Sequence, residues 1–193
     1  FISLVKKDHP DKKIVSVERD SANIEFINSC FNNVEVLDEI ENVTEKFDCI
    51  FGHAVFEHIL DSRTFLSGLS KHLTKHGILY LTVPNKKNAL IYKYDIEEYK
   101  KFAYMKQHHY TFSETAISIL AEQTGYLAPD FHYLQRYGLD NHLSWLRHRK
   151  PRNYTDFGQH ISQKTMINYR QDLTENKITD LMMIVLRRLT PPA

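Results

Sequence analysis

The amino-acid sequence predicts an α/β fold built on a mostly parallel sheet with helices on both faces. Through the first half of the chain, short β-branched or aromatic runs alternate with helical stretches. Those runs are almost wholly apolar, as strands buried on both sides require. The chain has 193 residues, 42% of them hydrophobic, which is enough to fill the core of one domain.

The elements follow in order. Phe1–Lys7 carries Phe1, Leu4 and Val5 at helical spacing and reads as the end of a helix, broken by His9-Pro10-Asp11-Lys12. Ile14–Val17 is a short strand, Ser21–Phe31 a helix and Val34–Leu37 a second strand. Phe47–Phe51 makes a third. A helix over about Ser62–His76 presents Phe65, Leu66, Leu69 and Leu73 as a core stripe, with Gly77 as its stop. Ile78–Val83 is a fourth strand, closed by Pro84. Lys86–Gln107 is rich in Tyr and Lys and helical in its middle. Ser113 caps a helix that Gly125 ends. Phe131–Tyr137 and Leu181–Leu186 are the remaining strands. Residues 138–177 form a polar, aromatic-rich helical insertion, a candidate lid for substrate specificity.

Composition removes several functions. Lys+Arg 25 against Asp+Glu 24 gives a net charge of +1, which argues against wrapping nucleic acid or lying on an anionic membrane. The longest apolar run, Leu181–Leu186, is far short of a bilayer span. Two cysteines, Cys30 and Cys49, do not make a disulfide framework and point to a reducing, cytoplasmic compartment.

Ligands of open α/β sheets bind beyond the carboxyl ends of the strands. After the first strand stand Glu18-Arg19-Asp20. A carboxylate placed there can accept hydrogen bonds from ribose hydroxyls, and it normally lies about 20 positions beyond a Gly-rich turn. Such a turn would fall before Phe1, so the sequence predicts that the first strand and its loop precede the first residue. An ordinary strand-end acid is the competing reading of Glu18.

The stretch Phe47–Asn85 strengthens the ligand reading. Phe47-Asp48 opens a strand, Glu57-His58 turns into a helix, Gly77 follows a Leu-rich segment and Pro84-Asn85 closes the next strand. Further on come His108-His109-Tyr110-Thr111-Phe112-Ser113 and Gly125-Tyr126. In this order the chain resembles the class I S-adenosylmethionine-dependent methyltransferases, in particular the branch of ubiquinone-biosynthesis, glycan and natural-product enzymes. The resemblance covers about residues 1–137 and the last strand. It implies a single Rossmann-like domain with a mostly parallel seven-stranded sheet whose last strand is antiparallel. It also implies S-adenosylmethionine as cofactor and S-adenosylhomocysteine as product. Glu18, with Arg19 beside it, would bind the ribose, Asp38 and Glu39 the adenine region, and Gly52 and His53 the methionine side.

The expected reaction is methyl transfer to a small molecule or glycan, at a hydroxyl oxygen. A hydroxyl acceptor needs its proton removed, and His58, His108 and His109 are the candidates, with His53 weighed beside them. Local hydrogen bonding at a helix start is the plain alternative for His58, and a solvated loop pair for the other two. No Cys or carboxylate completes a recognisable ligand spacing beside His108-His109, so the sequence predicts no metal site. In the insertion, Gln135-Arg136-Tyr137, Asn141-His142 and Trp145 suit a polyhydroxylated acceptor; equally, Leu143, Trp145 and Leu146 simply pin a helix to the core. Arg147–Arg152 is the one basic cluster and would meet a phosphorylated or nucleotide-linked acceptor. A non-catalytic methyltransferase-like partner domain, an RNA methyltransferase and a nicotinamide-dependent enzyme are the other readings.

Overall fold

A computed structural model of the chain describes residues 1–151 and 159–189. They gather into two compact units, Phe1–Glu45 and Lys46–Ala193. In the first, α1 (Ile2–Asp8) leads into β1 (Ile14–Val17), α2 (Ser21–Cys30) and β2 (Val34–Leu37). The two strands pair in parallel from Ile14 against Val34 to Val17 against Leu37. Asp20 starts α2 by accepting the Asn23 N–H with its side chain at 3.0 Å.

The second unit holds β3 (Phe47–His53), α3 (Ser62–Lys71), β4 (Leu73–Pro84), α4 (Ala89–Tyr92), α5 (Glu97–Ala103), α6 (Glu114–Gln123), β5 (Asp130–Leu134), α7 (Leu139–His148), α8 (Gln163–Glu175) and β6 (Leu181–Arg187). Its sheet has the order β3-β4-β6-β5. β3 and β4 are parallel, and β6 runs antiparallel to both of its neighbours. Leu79, Leu81 and Val83 of β4 and Met182, Ile184 and Leu186 of β6 are buried, so the two central strands carry the apolar load that parallel-type sheets demand. α3 and α6 pack beside one another. Ser113 Oγ accepts the Ala116 N–H to begin α6, and Gly125, at φ 81°, ends it as the sequence requires.

Two expectations need correction. The resemblance implies one seven-stranded sheet; the strands of the described residues form a two-stranded and a four-stranded sheet. The second concerns the helix over Ser62–His76, which ends at Lys71, with Leu73 already paired to Phe47 as the first residue of β4. Leu73 keeps the helical spacing of the stripe and is buried with Leu66 and Leu69, but it reaches the core from a strand. Gly77 therefore stops no helix. It lies inside β4, where an added Cβ would sit 2.8 Å from the Phe47 carbonyl oxygen and 3.0 Å from the Thr74 nitrogen. These are backbone atoms and cannot step aside cheaply. Gly77→Ala should lower stability by about 1–3 kcal/mol, read as a lower urea midpoint at unchanged slope.

Among the described residues no helix is long and apolar enough to cross a membrane. The insertion carries α7 and α8, and Arg152 of the basic cluster lies outside the described residues.

Candidate active site

In the first unit, Glu18 follows β1 and its N–H donates to the Leu37 carbonyl at 2.9 Å, which fixes it at the strand ends. Its carboxylate folds back on the entry to α2. Oε1 accepts the Arg19 and Asp20 N–H groups at 2.8 and 3.0 Å, and Oε2 accepts the Asn23 amide at 3.2 Å. Arg19 and Glu39 form an exposed ion pair at 3.3 Å. Asp38 accepts the Asn42 side-chain amide at 2.8 Å. The carboxylates named from the sequence thus stand together at the carboxyl end of a parallel strand pair.

In the second unit the carboxyl end of β3 is shaped by its neighbour β4. Gly52 lies against Leu81, whose Cδ2 would be 2.8 Å from an added Cβ. His53 Nδ1 meets the Thr82 hydroxyl at 2.5 Å. Ala54 then takes φ 52°, a left-handed conformation costing an alanine about 1–2 kcal/mol, while its N–H donates to the Thr82 carbonyl at 3.2 Å. That reversal throws the chain into a 3₁₀ turn, Phe56–His58.

This turn is where three predicted residues acquire their setting. The segment following α5 runs alongside it. The His109 N–H donates to the Glu57 carbonyl at 2.9 Å, and the Tyr110 hydroxyl donates to the Leu60 carbonyl at 2.8 Å. Phe56, fully buried, stacks on Phe112 with ring centroids 4.6 Å apart and planes 8° from parallel. His58 Nδ1 lies 2.9 Å from the Gln107 carbonyl oxygen and must carry the proton there, which leaves Nε2 with its lone pair. The rings of His58 and His108 meet edge to face at 4.8 Å. Glu57 joins them, so that one ligand atom from each of Glu57, His58 and His108 lies within 4.8 Å of the others. His109 is exposed and is held through its backbone instead. Sequence spacing brings out each histidine but misses Glu57 as their partner.

The insertion residues behave otherwise. Trp145 is buried against Leu90, Ile96 and Tyr99, edge to face with the Tyr99 ring at 5.0 Å. Burial pushes the Tyr99 hydroxyl up to about 12, and it accepts the Asn88 amide at 3.0 Å. His142 is also buried, with Nδ1 2.6 Å from the Tyr169 hydroxyl. Gln135 bonds the Tyr137 carbonyl and the Asp180 N–H. Arg136 pairs with the buried Asp180 at 3.2 Å. Burial raises the Asp180 carboxyl against the opposing pull of Arg136. The groups that suggested an acceptor-binding lid are therefore spent on one another, and α7 is pinned to the core. Of the basic cluster, Arg147 and Lys150 are exposed and Arg149 lies 3.9 Å from Glu98.

Comparison with known proteins bears on the fold and the family. The chain is similar in fold to a SAM-dependent methyltransferase of Archaeoglobus fulgidus, at 13% identity over 97% of this chain and 80% of that one, with a TM-score of 0.59. It is similar to the complex of a Haloferax volcanii methyltransferase activator with its methyltransferase, at 9% identity over 100% and 78% of the chains and a TM-score of 0.65. A third likeness is to phosphoethanolamine N-methyltransferase 2 of Haemonchus contortus, in complex with S-adenosyl-L-methionine, at 14% identity over 98% and 46% of the chains and a TM-score of 0.58. No curated protein sequence matches the chain. The profile of the methyltransferase domain matches residues 2–127, a span that takes in the carboxylates after β1, the turn after β3 and the histidines before α6. By that match the chain belongs to the methyltransferase domain family, enzymes whose methyl donor is S-adenosylmethionine.

Proposed function

We propose that this chain methylates a hydroxyl oxygen of a small molecule or glycan, as in the branch of ubiquinone-biosynthesis and glycan enzymes that its motifs resemble. When bound, S-adenosylmethionine supplies a methyl group already activated on a sulfonium. The residues present fit that cofactor. Glu18 has about four acceptor positions, three of them filled by Arg19, Asp20 and Asn23, so Oε2 keeps a position for a ribose hydroxyl. Its carboxylate is already oriented by backbone donors and loses little freedom on binding. Asp38 and Glu39, in the same unit as Glu18, serve the adenine side. The chain's remaining tasks are to align the acceptor, exclude water and draw off the hydroxyl proton, the last at Glu57, His58 and His108. A phosphate on the acceptor would find Arg147 and Lys150. The free thiols of Cys30 and Cys49 are in keeping with a cytoplasmic location.

Glu18 at the tip of β1 is the observation that carries this reading. Glu18→Ala in the full-length protein should weaken S-adenosylmethionine binding about 10- to 100-fold, as loss of a charge-assisted hydrogen bond predicts. Isothermal titration of both proteins reads the change. Affinity untouched by the substitution would sink the reading.

A further inference from the structure

We propose that Glu57, His58 and His108 form a site for a divalent transition-metal ion of the zinc or manganese type. Three observations meet there. The first is proximity: one ligand atom from each side chain lies within 4.8 Å of the other two. Modest ring rotations would bring these donors to the roughly 2.0–2.2 Å bonds that such ions form with imidazole nitrogen and carboxylate oxygen.

The second is an unpartnered carboxylate oxygen. Glu57 is only 2% exposed, and its Oε2 has no hydrogen-bond partner. None of the ion pairs among the described residues includes it. A buried carboxylate oxygen left this way costs about 1–3 kcal/mol or more, and a cation would remove the cost. The third is preparation of the ligand nitrogen. His58 gives its Nδ1 proton to the Gln107 carbonyl at 2.9 Å, the outer bond that commonly fixes the tautomer of a metal-binding histidine. Its Nε2 is thereby left as a lone-pair donor.

The scaffold suits the purpose. The two segments that carry the ligands are tied by the His109–Glu57 and Tyr110–Leu60 hydrogen bonds and by the Phe56–Phe112 stack. Two imidazoles and one carboxylate favour zinc, manganese, iron or cobalt over magnesium and calcium, which seek mostly oxygen ligands. Three protein ligands leave coordination positions open, as catalytic rather than structural sites do. The sequence predicts no metal because the carboxylate comes from a turn far from His108 in the chain, at no recognisable spacing.

The site deepens the methyl-transfer reading and rests on it for its use. A hydroxyl bound to such an ion is acidified as a bound water is, its O–H bond breaking with the proton passing to solvent. With their nitrogens on the ion, the histidines would hold it rather than act as free bases.

Binding itself can be measured without donor or acceptor. The full-length protein, stripped with a chelator, is titrated with Mn²⁺ by calorimetry and followed by the Mn²⁺ paramagnetic resonance signal, with Zn²⁺ and Mg²⁺ as competitors. One Mn²⁺ per chain is expected, displaced by Zn²⁺ and not by equimolar Mg²⁺. Glu57→Gln and His108→Asn should each weaken it at least 100-fold. Absence of stoichiometric binding in the unaltered protein overturns the proposal without any variant, as does equal binding in both variants. Because no S-adenosylmethionine is present, either failure leaves the methyl-transfer reading standing, and loss of cofactor binding alone would leave the metal site standing.

Discussion

Phe56→Ala is expected to lower the stability of the protein by about 3–5 kcal/mol, among the largest single-residue effects in the chain. Its side chain is completely buried. It stacks on Phe112 at 4.6 Å and lies 6.0 Å from the Phe65 ring, so truncation opens a cavity among aromatic faces with little means of collapse. The loss is also local to the site. Phe56 precedes Glu57 and His58, and Phe112 ends the segment that carries His108, so the stack holds the two ligand-bearing segments in register. Urea unfolding of the variant measures the stability loss. Phe65→Ala, at a half-buried position on α3, should cost visibly less in the same experiment. A loss below about 1 kcal/mol for Phe56→Ala would mean that the stack does not hold these segments together.

The contrast between Phe56 and Leu73 shows what the sequence could carry. Local rules located most elements, because a cap, a stop or a β-branched run acts on residues close in the chain. Ser113 and Gly125 bound α6 through one side-chain acceptor and one left-handed φ. Leu73 defeated the same reasoning. It extends the spacing of Leu66 and Leu69, yet pairing with Phe47 across the sheet claims it for β4. The site divides along the same line. The positions of Glu18, Arg19, Asp38 and Glu39 were legible because strand ends place them. Glu57 beside His58 and His108 was not, since the hydrogen bonds that assemble them join distant stretches. Trp145 fitted the core as readily as a lid, and His142 and Gln135 suited a lid only for want of visible partners. Those partners are Tyr99, Tyr169 and Asp180, which composition alone cannot supply.

The same buried network makes the protein acid-sensitive. His142 is 2% exposed, and burial holds its imidazole down at about 4. Gln135 fixes the protonation state of the ring. Its oxygen accepts the Asp180 N–H and its nitrogen donates to the Tyr137 carbonyl, so the amide presents N–H towards His142 Nε2 at 3.3 Å. Nε2 must therefore be unprotonated, and Nδ1 donates to the Tyr169 hydroxyl, itself kept protonated by burial that raises it to about 12. A second proton on the ring would set donor against donor. In the unfolded chain the imidazole returns to about 6.5 and takes up protons sooner than the folded one. The stabilising contribution is thus fully present above pH 6.5 or so and is lost as pH falls towards 4. Two to three pH units correspond to about 3 kcal/mol. Urea midpoints measured from pH 7 to 4.5 should fall steeply in the unaltered protein. His142→Asn keeps a donor for Tyr169 but does not titrate, so its midpoint should start lower and fall less. Equal slopes for the two proteins would show that the acid sensitivity arises elsewhere, and that α7 is held by Trp145 and its apolar neighbours rather than by the His142 network.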